Sequence, residues 1–233
     1  MNREVLINEL KIRGLTCTNE QANSLFGIMQ TTLEANERFN LTAITIEEEF
    51  VEKMIFDSAL PLIASDLSKK KVLDLGTGAG FPGLVLYVLN PSIKLTLLDS
   101  NSKKINYLNE LCINKNYNIK CVNSRAEDYS KSHTESYDAV IARAVAPLNI
   151  LLELAMPMIK VDGHFIAMKG LNYEEEIEQS KNALKKLDCS IEEVYEDELP
   201  SNCDKRAIII IKKNQSTKKK YPRDYSEIRR NPL

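Results

Sequence analysis

Twelve residues constrain this chain more than any others: Val72-Leu-Asp74-Leu-Gly76-Thr-Gly78-Ala-Gly80-Phe81-Pro82-Gly83. Half of the chain's 8 glycines fall within them. An apolar run from Lys71 to Leu75 leads in, and a second from Leu84 to Leu89 leads out. The pattern predicts a short buried strand, a glycine turn, then a helix with Pro82 near its first turn, where a missing N–H costs little. A tight turn alone needs one glycine. Several together imply a backbone that adopts positive φ or lets a ligand approach closely, at a helix start whose free N–H groups point outward.

The chain around this turn alternates strand and helix patterns. Strands are predicted over 71–75, 94–98, 119–122, 137–142 and 164–168, with helices over 82–89, 102–114, about 147–159 and 173–187. A last pair of strands, 191–195 and 206–211, fits an antiparallel hairpin or edge pair. This alternation predicts an α/β fold: a Rossmann-like, doubly wound, mostly parallel seven-stranded sheet with right-handed crossovers. Ahead of it, residues 1–66 read as a helical extension. A short amphipathic start ends near Gly14, Thr18 or Asn19 caps a second helix, and a third, about 46–62, carries Asp57 and Ser58. The expected organisation is a helical extension (1–66), a cofactor-binding α/β domain (67–213) and a C-terminal tail (214–233).

Composition narrows the function classes. No apolar run approaches the ~18 residues that a membrane span needs, and Met1 to Leu15 has no signal-peptide core. A cytoplasmic protein without a membrane partner is expected. The 5 cysteines show no CxxC spacing and the 2 histidines stand alone, so neither a metal site nor a histidine triad is expected. The net charge of −2 conceals an asymmetry: residues 212–233 carry 8 basic and 2 acidic side chains, so the rest of the chain is net acidic. A basic arm on an acidic body suggests a polyanionic partner.

Ligands of doubly wound sheets sit outside the carboxyl ends of the strands. The rim residues are then Gly76 to Gly83, Asp99-Ser100-Asn101, Ala126-Glu127-Asp128, Arg143 and Lys169. Two cofactors compete for this rim. Gly78-Ala-Gly80-Phe-Pro-Gly83 matches the dinucleotide fingerprint, and Asp99, 19 residues after Gly80, stands where an acid holds an adenosine ribose in either case. The wider pattern Asp74-Leu-Gly76-Thr-Gly78-Ala-Gly80 looks more like motif I of class I S-adenosylmethionine-dependent methyltransferases. Glu127 or Asp128 would read the adenine edge, and the sequence leaves open which.

Seven segments then occur in one order: Asn40-Leu-Thr42-Ala-Ile44, Asp57-Ser58, Asp74 to Gly83, Leu97-Leu-Asp99-Ser100, Ser124-Arg-Ala126-Glu127, Ile141-Ala-Arg143-Ala-Val and Met168-Lys169-Gly170. Together they resemble the ribosomal RNA small subunit methyltransferase G family, also called the glucose-inhibited division protein B family. The resemblance covers roughly residues 35 to 225, and Lys220-Tyr-Pro-Arg223 is similar to that family's ending. It implies S-adenosylmethionine as cofactor, 16S ribosomal RNA or the small ribosomal subunit as partner, and methylation of N7 of a guanosine in the decoding-region loop. Cofactor contacts implied by position are Gly76, Phe81, Asp99, Ser100, Asn101, Ala126, Glu127 and Arg143, beside Gly78 and Gly80 of the glycine turn. The chain departs from the family pattern at Met54, where a histidine is often found, and after Arg223, where a Gly/Pro-rich basic end is usual.

Guanine N7 has a free lone pair and no proton to remove, so its methylation needs no general base. Arg143 is the candidate catalytic residue, orienting the cofactor or O6, or binding phosphate, away from the ring face; a structural pair with Glu127 is the competing assignment. Lys169 is a candidate phosphate contact, and the tail a salt-sensitive RNA contact. A single basic arm and one rim fit a monomer. Other readings are a small-molecule methyltransferase, a dinucleotide-dependent oxidoreductase, and a cofactor-sensing RNA-binding protein without turnover.

Overall fold

Residues 72 to 75 of β1 (Lys71–Leu75) are all buried, as an unbroken apolar run in a parallel sheet requires, because helices cover both faces. In the computed structural model, which describes all 233 residues, this strand lies at the centre of a seven-stranded sheet. β2 (Lys94–Asp99) and β4 (Tyr137–Arg143) pair with it in parallel on either side. Next come β3 (Lys120–Asn123) and β5 (Ile159–Lys169), again parallel. β6 (Cys189–Glu198) and β7 (Lys205–Lys213) complete the order β3-β2-β1-β4-β5-β7-β6, with β7 inserted antiparallel between β5 and β6.

β5 starts five residues earlier than its apolar run predicts. Residues 160–162, Lys-Val-Asp, are all exposed, and the register with β4 shifts between Tyr137 and Ala139. An irregular, solvated strand start has no apolar alternation to reveal it.

The amino-terminal helices α1 (Arg3–Ile12) and α2 (Asn19–Phe39) have conventional starts. Asn2 caps α1, and Thr18 with Gln21 forms a reciprocal capping box on α2. Gln21 Nε2 also donates to the carbonyls of Val88 and Leu89. Arg13 grips Asp197 on β6 through two nitrogens, at 2.7 and 2.9 Å. Leu25, Ile28 and Met29 of α2 lie in the same buried cluster as Val72, Leu97 and Ile141 of the sheet. The extension therefore shares the core of the sheet and has no separate one.

The single helix predicted over 46–62 is instead a composite. α3 (Glu47–Phe50) runs into a π-helical segment, Val51–Phe56, then α4 (Asp57–Ala59) and α5 (Pro61–Ala64). The Asp57 N–H donates to the Glu52 carbonyl, five residues back. Such wide turns accumulate at functional positions.

On the carboxyl side of the strands follow α6 (Gly83–Leu89), α7 (Ser102–Asn114), α8 (Ala126–Ser132) and α9 (Leu148–Ala155). The helix predicted over 173–187 divides at Ser180 into α10 (Tyr173–Gln179) and α11 (Lys181–Lys186). The C-terminal segment is not a free arm. It contains α12 (Tyr225–Arg230), and Tyr221, Ile228 and Leu233 are buried in the cluster under α9. Arg223 clamps the wholly buried Glu153 through its backbone N–H, Nε and Nη2 at 2.9, 2.8 and 2.6 Å. Lys212, Lys213 and Lys218 pair with Asp162, Glu135 and Asp188, leaving Lys219, Lys220, Arg229 and Arg230 without a carboxylate partner. No helix is long and apolar enough to cross a membrane.

Candidate active site

The strand order reverses between β1 and β4, and a cavity of about 890 Å³ opens outside their carboxyl ends, where such sheets hold ligands. Its floor is set by Asp74, which never reaches it. Oδ2 of this fully buried carboxyl accepts from Thr77 Oγ1 at 2.6 Å and from the Gly83 N–H at 2.8 Å. Oδ1 has no partner. Burial pushes the carboxyl up to about 6, against the pull of those two hydrogen bonds. One side chain thus ties together the two ends of the glycine turn.

The glycines of that turn divide by role. Gly76 and Gly78 line the cavity. Gly78 has φ +60°, and the space beyond its Cα is open except for Lys104 Nζ, 3.9 Å from where a Cβ would stand. Gly80, assigned from sequence as a cofactor contact, does not line the cavity. It has φ +99°, and a Cβ there would drive into Leu84 and Leu108, so close packing beneath the turn is what requires glycine. Phe81 lines the cavity while only 3% exposed, and packs edge-on against Phe50 at 5.4 Å.

Asp99, at the end of β2, faces the cavity with both oxygens held. Oδ2 accepts from the Gly78 N–H at 2.9 Å and Oδ1 from the Asn101 N–H at 2.8 Å. Each oxygen keeps a lone pair for a further donor. Ser100 also lines the cavity. Asn101 does not: its Oδ1 caps α7 by accepting from the N–H groups of Lys103 and Lys104.

Ala126 and Glu127 both line the cavity. They open α8, where consecutive side chains diverge by about 100°, so Glu127 and Asp128 cannot both face inward. Glu127 does, paired with Arg125 at 3.2 Å, while Asp128 is 59% exposed and binds Lys131. Of the two acids, Glu127 is the one at the cavity.

Arg143 enters the cavity from the end of β4. Its partner is not Glu127. Nη1 donates to the Lys53 carbonyl at 2.8 Å and lies 3.5 Å from Asp57 Oδ2, and Nη2 lies 3.3 Å from Met54 Sδ. The π-helical segment is thereby locked to the sheet. Burial lowers the Arg143 pKa, opposed by the charges of Asp57 and Asp74. Burial likewise raises that of Asp57, opposed by Arg143 and Arg206. Asp57 thus joins the helical extension to the sheet.

Lys169 lines the cavity but is not free to meet a phosphate: Nζ donates to Glu176 at 2.6 Å and to the Ala146 carbonyl at 2.9 Å. His133 stacks on Tyr129 and His164 binds Glu192, both outside the cavity. No group of three metal-ligating side chains stands together.

Among the cavity residues that sequence reasoning missed are Lys104, Arg206 and Tyr225. Lys104 sits two residues into α7, one turn beyond the rim. Arg206 Nε stands 3.4 Å from Asp57 Oδ1 and arrives only because β7 inserts beside β5. Tyr225 comes from the segment read as a tail. None carries a local pattern that marks it.

The family model for rRNA small subunit methyltransferase G matches residues 21–202. The chain belongs to this family. A ribosomal RNA small subunit methyltransferase G of a Thermoanaerobacter species is 48% identical over 206 residues, 86% of this chain and 85% of its own. The protein of that name from Macrococcus caseolyticus is 40% identical over 100% of this chain and 99% of its own. Among solved structures, M. jannaschii TYW2 in complex with AdoMet matches with a TM-score of 0.57 at 15% identity, over 73% of this chain and 79% of that one. At that identity the likeness concerns the fold. The matched segment thus takes in the amino-terminal helices from α2 onward and the sheet as far as β6.

Proposed function

We propose that this chain methylates N7 of a guanosine in the decoding-region loop of 16S ribosomal RNA, using S-adenosylmethionine. The observation that carries the reading is one cavity lined by two unlike sets of groups: the open glycine turn with the fixed Asp99 carboxylate, and the cations Arg143, Arg206 and Lys53. Its volume, about 890 Å³, lies near the top of the roughly 300–1,000 Å³ found for small-molecule sites, room for a cofactor with a base beside it.

The residues fit this cofactor. Gly78 leaves a bare backbone where a side chain would block approach, and Asp99 offers anchored lone pairs to ribose hydroxyls. Ala126 and Glu127 offer a small apolar surface and an acceptor to a base edge. When bound, S-adenosylmethionine supplies an electrophilic methyl group on a sulfonium. The chain supplies position, which in such reactions is worth ~7–11 kcal/mol. N7 has no proton, so no general base is required of the protein. Arg143 is drawn sideways by Asp57 and the Lys53 carbonyl, which keeps its charge off a ring that becomes more positive as it is alkylated. It acts as a positioning residue, holding the π-helical wall of the site.

Lys219, Lys220, Arg229 and Arg230 remain available for RNA phosphates. Four such contacts predict a log–log salt slope of roughly −3 for RNA binding. A site completed by one chain supports action as a monomer. The test is transfer of labelled methyl groups to 30S subunits, to free 16S RNA and to small-molecule acceptors, followed by mapping of the modified base. Transfer to N7 of a 16S guanosine is the expected result. S-adenosylhomocysteine binding without transfer to any acceptor would favour the cofactor-sensing RNA-binding reading.

A further inference from the structure

The cavity is lined by only two aromatic rings, Phe81 and Tyr225. Phe81 is nearly buried and its ring engages Phe50. Tyr225 is half-buried, and it packs on the same apolar cluster as Ala126. The Arg125 guanidinium lies over its ring at 4.6 Å, and Arg125 Nε also donates to Glu127. Glu127, Arg125 and Tyr225 therefore form one linked wall at the β3 end of the cavity.

The chain commits considerable structure to bringing Tyr225 there. Two residues earlier, Arg223 makes three hydrogen bonds to the buried Glu153 on α9. Three residues later, Ile228 is fully buried, and Leu233 is buried at the chain's end. A solubilising or phosphate-seeking arm needs no such anchors. A segment that must hold one side chain at fixed distance from a ligand does.

We propose that Tyr225, backed by Arg125, is the adenine-side wall of the cofactor site, so that the C-terminal segment sets cofactor affinity. The chemistry suits the ligand: adenine is flat and aromatic, and purines stack on aromatic rings and guanidinium planes. The inference rests on the cavity being an S-adenosylmethionine site, and it assigns a specificity role to a segment outside the glycine turn and the strand ends.

Calorimetric titration with S-adenosylhomocysteine and with 5′-methylthioadenosine, which lacks the amino-acid end, tests it. Tyr225→Phe keeps the ring and binds both within about twofold of the parent. Tyr225→Leu keeps apolar bulk without a ring and weakens both by a similar factor, roughly tenfold, the scale of one stacked base. Its urea midpoint stays at the parent value. Parent-like affinity in Tyr225→Leu overturns the proposal. Should that variant not fold, Tyr225→Trp decides: the chain has 0 tryptophans, so this one reports alone. Its fluorescence changes on adding either ligand if the ring meets adenine, and stays silent if it does not. A parent protein that binds neither ligand instead refutes the cofactor reading itself, a result distinct from failure of the Tyr225 assignment.

Discussion

The backbone N–H of Gly83 donates to Oδ2 of Asp74 at 2.8 Å in an environment closed to water. With Thr77 on the same oxygen, the carboxyl closes the glycine turn like a clasp, yet Oδ1 stays without a partner. An ionised group is costly there, and its pKa of about 6 against an ordinary 3.8 expresses that cost. The folded state holds the proton more tightly than the unfolded state does. Asp74 therefore favours folding at low pH, and this contribution is lost as pH rises from about 4 through about 6. At neutral pH the loss is about 3 kcal/mol. Asp74→Asn, which cannot ionise, should gain on the parent by up to that amount between pH 4 and pH 7. Urea denaturation at several pH values measures the difference, and a difference that does not vary with pH would contradict this account.

Gly78 and Gly80 should fail differently when replaced by alanine. At Gly78 the added methyl meets nothing closer than Lys104 Nζ, so stability falls by only the roughly 1–2 kcal/mol of a left-handed backbone. S-adenosylhomocysteine affinity should drop sharply, because the methyl enters the cavity. At Gly80 the methyl meets Leu84 and Leu108, and overpacking adds about 1–3 kcal/mol to the backbone cost. The folded fraction of that variant should still bind. Calorimetry beside denaturation separates the pair; equal affinity losses would argue against the division of roles.

Asp57 is buried, and the Arg143 side chain, only 13% exposed, lies 3.5 Å from it. Arg143→Met leaves the carboxylate with Arg206 alone, and should cost about 3 kcal/mol, the low end for breaking a buried pair. Adding Asp57→Asn should restore most of that stability. Methyl transfer should remain lost in the double variant, because nothing then holds the Lys53 carbonyl and its π-helical turn to the sheet. Recovery of activity along with stability would make Arg143 a purely structural residue.

Arg223→Ala strands the Glu153 carboxylate in the core beneath α9. A loss of about 3–5 kcal/mol is expected, far more than exposed ion pairs give, with partial recovery in Arg223→Ala/Glu153→Leu. A variant with Lys219, Lys220, Arg229 and Arg230 changed to glutamine should keep parental stability and flatten the salt slope of RNA binding by roughly 3. The two variants distinguish the anchoring charges of the C-terminal segment from those left for RNA. Denaturation and filter binding at graded salt read them out.

Much of the site was legible from sequence because a parallel sheet converts local pattern into place. Each strand end projects to one rim, so Gly76, Gly78, Asp99, Ser100, Ala126, Glu127 and Arg143 meet at one cavity although they span 68 residues of chain. Gly80 and Asn101 lie off the cavity, because a motif marks residues that shape a turn as readily as residues that line a site. Both shape it, one by packing and one by capping.

Sequence by itself determined the alternation of elements, the central glycine turn and the acid that follows β2, since these depend on hydropathy period, glycine's permissive φ and strand-end geometry. Only tertiary structure decided which of two adjacent acids faces inward, that Arg143 answers to Asp57, and that Arg206 and Tyr225 reach the cavity. The arrival of Arg206 and Tyr225 depends on the insertion of β7 between β5 and β6 and on the Arg223–Glu153 clamp. Such contacts join residues 70 to 149 positions apart, as Arg223 to Glu153 and Arg206 to Asp57 do, and no local period records them.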